Sequence, residues 1–297
     1  MAEVADLFPN GAWDVHHHIF DPARYTYSPT RHLTPPPATI AQFEDFKRKL
    51  GITNSVLTHG LSYGSDCSSL RDFVSELGTS NTKAIGVIDP ETVTIGELHR
   101  MQRAGICGVR DALRAHVEAI KDYCPGWSMA FTHVHPEFWT ELKPFIETEI
   151  VPTGIRLVTD HFALLKGSSM LPCEGGGEGR QVDVSQQPGF QEIIELMRAG
   201  HLYIKISAPY RVSTQAPGFD DLRPLVRAFF DANPRQVVWG SDWPHTPQMK
   251  VRTPEEALTE TPYLKVDDLA WLRSLRSWLS DEEWHALMVA NPSALYS

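Results

Sequence analysis

The feature that most constrains this chain is an alternation. Short β-type runs recur at Ala12–His18, Asn54–Thr58, Lys83–Ile88, Ile106–Arg110, Ser128–Val134, Gly154–Thr159, Leu202–Ser207 and Gln236–Ser241, with amphipathic stretches between most of them. Parallel strands need a crossover long enough to hold a helix, so this order points to a mainly parallel sheet. Eight such units in 297 residues fit one single-domain α/β chain folded as a (β/α)8 TIM barrel. An open doubly wound sheet more often carries a glycine-rich phosphate loop after its first strand, and here the first strand runs into histidines. Spacing supports the helices. Leu70, Phe73, Val74 and Leu77 recur at helical intervals before Gly78. Phe190–Ala199 stops at Gly200, Leu222–Asp231 stops before Asn233-Pro234, and Leu269–Leu279 and Glu282–Ala290 close the chain.

Two segments break the pattern. Arg24–Ala38 is rich in proline and tyrosine, and Ala163–Gln187 is a glycine-rich insertion of the 163–187 βα-loop. They follow the first and sixth strands, which puts both on the C-terminal face where barrel active sites lie. Loops of this length are lids or inert surface insertions.

Composition removes several function classes. There are 27 basic and 37 acidic residues, a net charge of −10, and no basic stripe, so nucleic acid is not an expected partner. A small anionic substrate would have to be held by local arginines against that field. No run of eighteen apolar residues is present, so no membrane partner is expected. The opening MAEVADLFPNGAWDV lacks a basic start and an apolar core, which argues against secretion. Cys67, Cys107, Cys124 and Cys173 form no CxxC pair and read as reduced packing residues of a cytoplasmic protein. The closing Trp271, Trp278 and Trp284 can pack on the barrel or on a second subunit of a homo-oligomer.

Five motifs carry chemistry. In Trp13–Pro22, residues two apart share a side of the strand, so His16 and His18 project together and His17 faces away. Such a pair binds a divalent ion or a polar substrate, or is structural. His161, in Val158-Thr159-Asp160-His161-Phe162, is placed to enter the same cavity or to sit satisfied in the core. Asp242 follows the last apolar strand in WGSDWPH, where an acid serves as metal ligand or general base, or caps a helix. Lys205 shares a face with Tyr203 and Ser207 in YIKISAPYR, and Arg211 just beyond can reach a carboxylate or form a surface ion pair. Arg110 closes the fourth strand and enters the cavity or pairs with Asp111.

Together the HHHIFDP start, GVR at 108–110, the Asp160-His161 pair, KISAPYR at 205–211 and WGSDWPH at 239–245 resemble the amidohydrolase superfamily. The resemblance is to its 2-pyrone-4,6-dicarboxylate lactonase-like branch, and it runs from about residue 12 to 295. It implies a distorted (β/α)8 barrel that opens lactones or related cyclic esters. By that likeness Asp242 acts on the hydrolytic water, and His16, His18 and His161 polarise the carbonyl. Arg110 and Arg211 hold substrate carboxylates, and His245 lies near the substrate. His59, Tyr63 and Tyr210 complete the expected substrate-contacting set. Metal use differs within the branch. A bridging lysine or glutamate is not evident mid-barrel, so the expectation is no metal or one divalent ion, zinc by donor type, at His16, His18 and Asp242.

The chain also departs from the branch. Leu61 stands where a carboxylate-contacting serine is expected, Arg114 and His116 lie where a second arginine is expected, and the insertion is atypical. These departures point to a larger or less acidic substrate, with Trp13, Tyr63, Trp127, Phe162 and Trp243 as a candidate aromatic wall. Two other readings compete with lactone hydrolysis: a metal-dependent decarboxylase of aromatic or muconate-type acids, and a catalytically degenerate ligand-binding barrel.

Overall fold

The structure is a computed structural model that describes residues 7–110, 112–132, 135–172, 182–247 and 252–296. Its eight strands among the described residues are β1 (Trp13–His17), β2 (Asn54–Thr58), β3 (Thr82–Gly86), β4 (Ile106–Arg110), β5 (Ser128–Phe131), β6 (Arg156–Thr159), β7 (Leu202–Ile206) and β8 (Val237–Trp239). They pair in chain order, every pair parallel. Helices α1 (Ile40–Leu50), α2 (Ser68–Leu77), α3 (Ile95–Arg103), α4 (Leu113–Ile120), α5 (Trp139–Phe145), α6 (Phe190–Arg198) and α7 (Arg223–Ala232) follow β1 to β7 in turn. Four short helices come after β8: α8 (Pro254–Leu258), α9 (Asp268–Ser277), α10 (Asp281–His285) and α11 (Asn291–Tyr296). This is the (β/α)8 barrel expected from the alternation, nearly closed and distorted where β8 returns to β1.

That closure uses few ladder bonds. The Asp242 amide donates to the His16 carbonyl at 2.7 Å, and the His18 amide donates to Trp243 at 2.8 Å. Gly240 is required at the seam, because a Cβ there would lie 2.8 Å from the His16 backbone nitrogen. β6 starts later than expected, since Val151–Thr153 forms a 3-10 turn and Gly154 is left-handed at φ 74°. The expected extension of β5 through Val134 lies outside the described residues, as do Asp111 and Cys173.

The core has two parts. The larger lies between the sheet and the helices, and it takes in Trp271, Trp278 and Trp284, so the closing tryptophans pack on this chain's own barrel. The smaller joins Val15, Val56, Ile85, Ala130, Val158 and Val238, one residue from each of six strands, with Trp13, Leu295 and Tyr296. It forms the apolar floor of the barrel, below the cavity. The register shift between Asp14 and His17 is a bulge that re-aims β1. Trp13 and Val15 point to the floor below it, and His16 and His18 point to the rim above it. His17 faces away, as alternation predicted, and its ring stacks on Phe43 of α1 at 3.7 Å.

Helix ends follow local chemistry. Thr39 and Gln42 form a capping box at the start of α1, and Gly51 closes it in the left-handed region at φ 77°. The run ending in Gly78 is α2, with Leu70, Phe73 and Val74 buried.

Candidate active site

The C-terminal ends of the strands surround a cavity of about 240 Å³. His16 reaches it from β1 and His18 from just beyond, Arg110 from β4, Thr132 from just beyond β5, His161 from just beyond β6, Arg211 from beyond β7 and Asp242 from beyond β8. Both irregular segments contribute to the wall: His32 and Leu33 from the first, Leu164 and Lys166 from the second. Each long loop therefore sits where a loop after a barrel strand should sit.

Several site residues hold backbone conformations that L-residues seldom adopt. His161, Phe162, Ala163 and Leu164 have φ of 52°, 59°, 54° and 58°, a single left-handed turn; Asp242 is at 58° and His245 at 70°. Such positions cost on the order of 1–3 kcal/mol each and survive only where the surroundings hold them. Ser207 supplies part of that hold. Its Oγ accepts from the His161 amide at 3.3 Å and lies 2.8 Å from His161 Nδ1.

Asp242 is buried, and its two oxygens meet different partners. Oδ2 accepts from Tyr210 at 2.5 Å and from Arg211 Nη2 at 3.0 Å. Oδ1 lies 3.4 Å from His16 Nε2 and 3.5 Å from His18 Nε2 and has no hydrogen bond. His18 donates from Nδ1 to the Thr58 carbonyl at 2.8 Å, the tautomer that leaves Nε2 as the acceptor. His16 Nδ1 has Lys205 Nζ at 3.3 Å and Asp160 Oδ1 at 3.5 Å, so either tautomer of His16 finds a partner. Lys205 and Asp160 form an ion pair of 2.9 Å, both fully buried.

The charge states follow. Burial pushes the His16 imidazolium down to about 4, with Lys205 adding to it and Asp160 opposing. Burial also holds His161 well below its usual value. Both rings are neutral at pH 7. Burial alone would raise the Asp242 carboxyl, but Arg211, His161 and the neighbouring imidazoles outweigh it and hold the group well below the carboxylate range. Asp160 behaves likewise, with Lys205 and His16 outweighing burial. At neutral pH the rim therefore carries two carboxylates, each with its own cation.

His16, His161 and Asp242 offer three donor atoms within 4.8 Å of one another, a possible metal-binding triad. The unpartnered Nε2 of His16 and Oδ1 of Asp242 are the buried atoms that an ion would satisfy. Two imidazoles and one carboxylate fit a single divalent cation, with Asp160 placed to accept the Nδ1 proton of a ligating His16.

The chain matches the family described as Amidohydrolase over residues 13–297. It belongs to that family. A 4-sulfomuconolactone hydrolase of Hydrogenophaga intermedia is 30% identical to this amidohydrolase, covering 98% of the chain and 90% of the relative. A 2-pyrone-4,6-dicarboxylate hydrolase of Comamonas testosteroni is 27% identical over 84% of the chain and 82% of its own length. Among solved structures, an Agrobacterium tumefaciens protein in its apo form shares the fold, with a TM-score of 0.74 at 23% identity over 97% and 96% of the two chains.

The expected site residues divide into two groups in this amidohydrolase. His16, His18, His161, Asp242, Arg110 and Arg211 all line the cavity. His59, Tyr63, Tyr210 and His245 lie behind its wall. His59 and Tyr63 stack on each other at 5.7 Å, and Tyr63 is used by the Asp21 amide. His245 donates to Asp268 at 3.0 Å, and Tyr210 is spent on Asp242. The compact metal set contains His161 where the sequence reading had His18, because the left-handed turn after β6 brings His161 inward.

The expected aromatic wall also differs. Trp13 belongs to the floor, Trp127 and Phe162 to the outer core, and Trp243 packs on Phe43 and Phe46. Among the described residues, Phe20 is the phenyl ring that lines the cavity. Arg114 covers the Phe145 ring, and His116 binds the carbonyls of Ala112 and Ile88. A lysine does stand mid-barrel, yet Lys205 is tied to Asp160 and bridges no ligands. Its sequence signal was a lysine inside the apolar run of β7. Lys166 and Arg252, also in the lining, gave no signal beyond their charge.

Proposed function

We propose that this amidohydrolase opens an anionic lactone by water attack on the ring carbonyl, with Asp242 as general base. The observation that carries the reading is the unequal use of the Asp242 oxygens. Arg211 and Tyr210 occupy Oδ2, while the bare Oδ1 faces the cavity between two imidazoles. A water there can pass its proton to Oδ1 as it attacks, and Asp242 can return that proton to the leaving ring oxygen. Neutral His16 in the Nε2–H tautomer, which Lys205 favours, donates to the developing oxyanion, and His161 borders the same space. His18 Nε2 accepts from the water and orients it.

Among the described residues the lining carries Arg110, Lys166, Arg211 and Arg252 against one acid, Asp242. That local excess supports an anionic substrate despite a net charge of −10. The relatives named for sulfomuconolactone and pyrone dicarboxylate support the same class. Zinc is the ion we assign to His16, His161 and Asp242, on donor type. Bound there it would supply Lewis acidity and a more acidic water, and His16 would then carry its proton on Nδ1 toward Asp160, so the Nε2–H donation and the bare Oδ1 belong to the ion-free site. Free Cys67, Cys107 and Cys124 support a reducing, cytoplasmic setting, and no helix among the described residues is long and apolar enough to cross a membrane.

The test is proton release from a panel of carboxylated lactones, pyrones and neutral aryl lactones, after chelation and after added zinc. Ring opening with one proton per turnover is expected, faster with anionic members. Carbon dioxide release in place of ring opening would contradict the assignment. Stimulation by zinc would support the ion, and equal rates after chelation would remove it.

A further inference from the structure

We infer that Arg211 is a positioning residue for Asp242 and not the anchor for substrate, so that the substrate's anionic group falls to Arg110. This rests on the lactone-hydrolase reading and departs from what the family resemblance implies for Arg211. The two arginines line one cavity but are committed very differently.

Arg211 is 7% exposed. Its Nη2 donates to Asp242 Oδ2 at 3.0 Å, to the Thr246 carbonyl at 3.0 Å and to Thr246 Oγ1 at 3.1 Å; Nη1 donates to the Pro247 carbonyl at 3.3 Å. Its own carbonyl accepts from Lys166 Nζ at 2.9 Å. One residue thus ties the turn after β7 to the insertion after β6 and to the loop after β8. That last loop contains Asp242 and His245, both left-handed. A planar guanidinium fixes a carboxylate in direction as well as in distance. With Tyr210 on the same oxygen, it stops Asp242 from turning and keeps Oδ1 toward the water.

A substrate carboxylate could claim Nη2 of Arg211 only by displacing Asp242 or Thr246. That would leave Asp242 buried without its cation, which is costly. Arg110 on β4 is half-buried, lines the same cavity and makes no hydrogen bond or ion pair with a described residue. Its fork is available for a bidentate contact with a carboxylate or sulfonate.

The experiment separates kcat from KM for wild type, Arg211→Met, Arg211→Lys and Arg110→Met on 2-pyrone-4,6-dicarboxylate and on the neutral lactone dihydrocoumarin. Arg211→Lys keeps a positive charge beside Asp242 and guards against a variant that fails to fold. A clamp predicts that both Arg211 variants lose kcat, the Met variant by about a hundredfold, with KM little changed and with the same factor for each lactone that wild type opens. Arg110→Met is predicted to raise KM for the dicarboxylate. A rise in KM for the dicarboxylate with kcat retained in the Arg211 variants would overturn the clamp and restore the anchor, leaving the hydrolase reading intact. If wild type opens neither these lactones nor any of the panel, the hydrolase reading and the clamp fall together.

Discussion

The floor and the rim of the barrel are built from the same strands and obey different rules. On the floor, Val15, Val56, Ile85, Ala130, Val158 and Val238 pack together with no polar contacts to satisfy. A few residues further along, the chain places His16, His18, Asp160, His161, Lys205 and Asp242, all buried. The floor is stabilised by area removed from water, roughly 1.5–3 kcal/mol for each large side chain. The rim is held by a few directional contacts between charges that would be costly alone. Most of the non-glycine residues in left-handed backbone gather at the rim, beside the unpartnered His16 Nε2 and Asp242 Oδ1. A fold that concentrates backbone strain beside buried charges at one end of its barrel has reserved that end for chemistry.

The comparison is most easily broken at Lys205. Replacing it with methionine leaves Asp160 buried without a cation, and the expected loss is about 3–5 kcal/mol in urea unfolding. Adding Asp160→Leu to Lys205→Met should recover part of that loss. If Lys205→Met alone is as stable as wild type, the pair does not hold the rim.

A smaller effect is expected from pH. His16 and His59 titrate in the folded protein at about 4 and about 3, both pushed down by burial, against an ordinary 6.5. The unfolded chain therefore binds more protons in this range, and stability falls as pH drops from 6.5 toward 4. Asp14 works in the opposite direction. Burial raises it to about 6, although Ser241 donates to both of its oxygens, so it adds stability as pH falls from 6 toward 3.8. His17 and His161 are held down by burial as well, so four histidines against this one raised acid give a net loss, at most about 1.4 kcal/mol per pH unit for each uncompensated group. The urea midpoint followed from pH 7 to 4.5 checks this. A midpoint that rises on acidification would contradict neutral buried histidines.

The smallest effect belongs to the floor. Ile85→Val should cost about 0.5–1.5 kcal/mol and leave turnover near wild type. A large loss of turnover there would mean that floor and rim are not separable.

Legibility in the sequence divides along the same line. The alternation of strands and helices was readable because binary patterning and glycine stops are local signals. All eight strands fall within two residues of their expected starts. The outward turn of His17 and the shared side of His16 and His18 followed from the period of two. The choice of His161 over His18 in the compact donor set did not follow, because it depends on a left-handed turn from His161 to Leu164 that no local residue preference announces. The aromatic wall failed for a related reason. A ring near a strand end is core or cavity depending on which helix covers it, and that is settled by packing over long distances in sequence. Tyr210 belongs to the expected substrate-contacting set, but its hydroxyl meets Asp242, a residue 32 positions away.

The most direct measurement is single-turnover ring opening by wild type and Asp242→Asn side by side, on whichever anionic lactone wild type opens fastest, with unfolding curves for both. The account predicts a loss of about 10²–10⁴ in the ring-opening rate with the fold retained. Ring opening by folded Asp242→Asn at the wild-type rate would contradict the claim that Asp242 is the base.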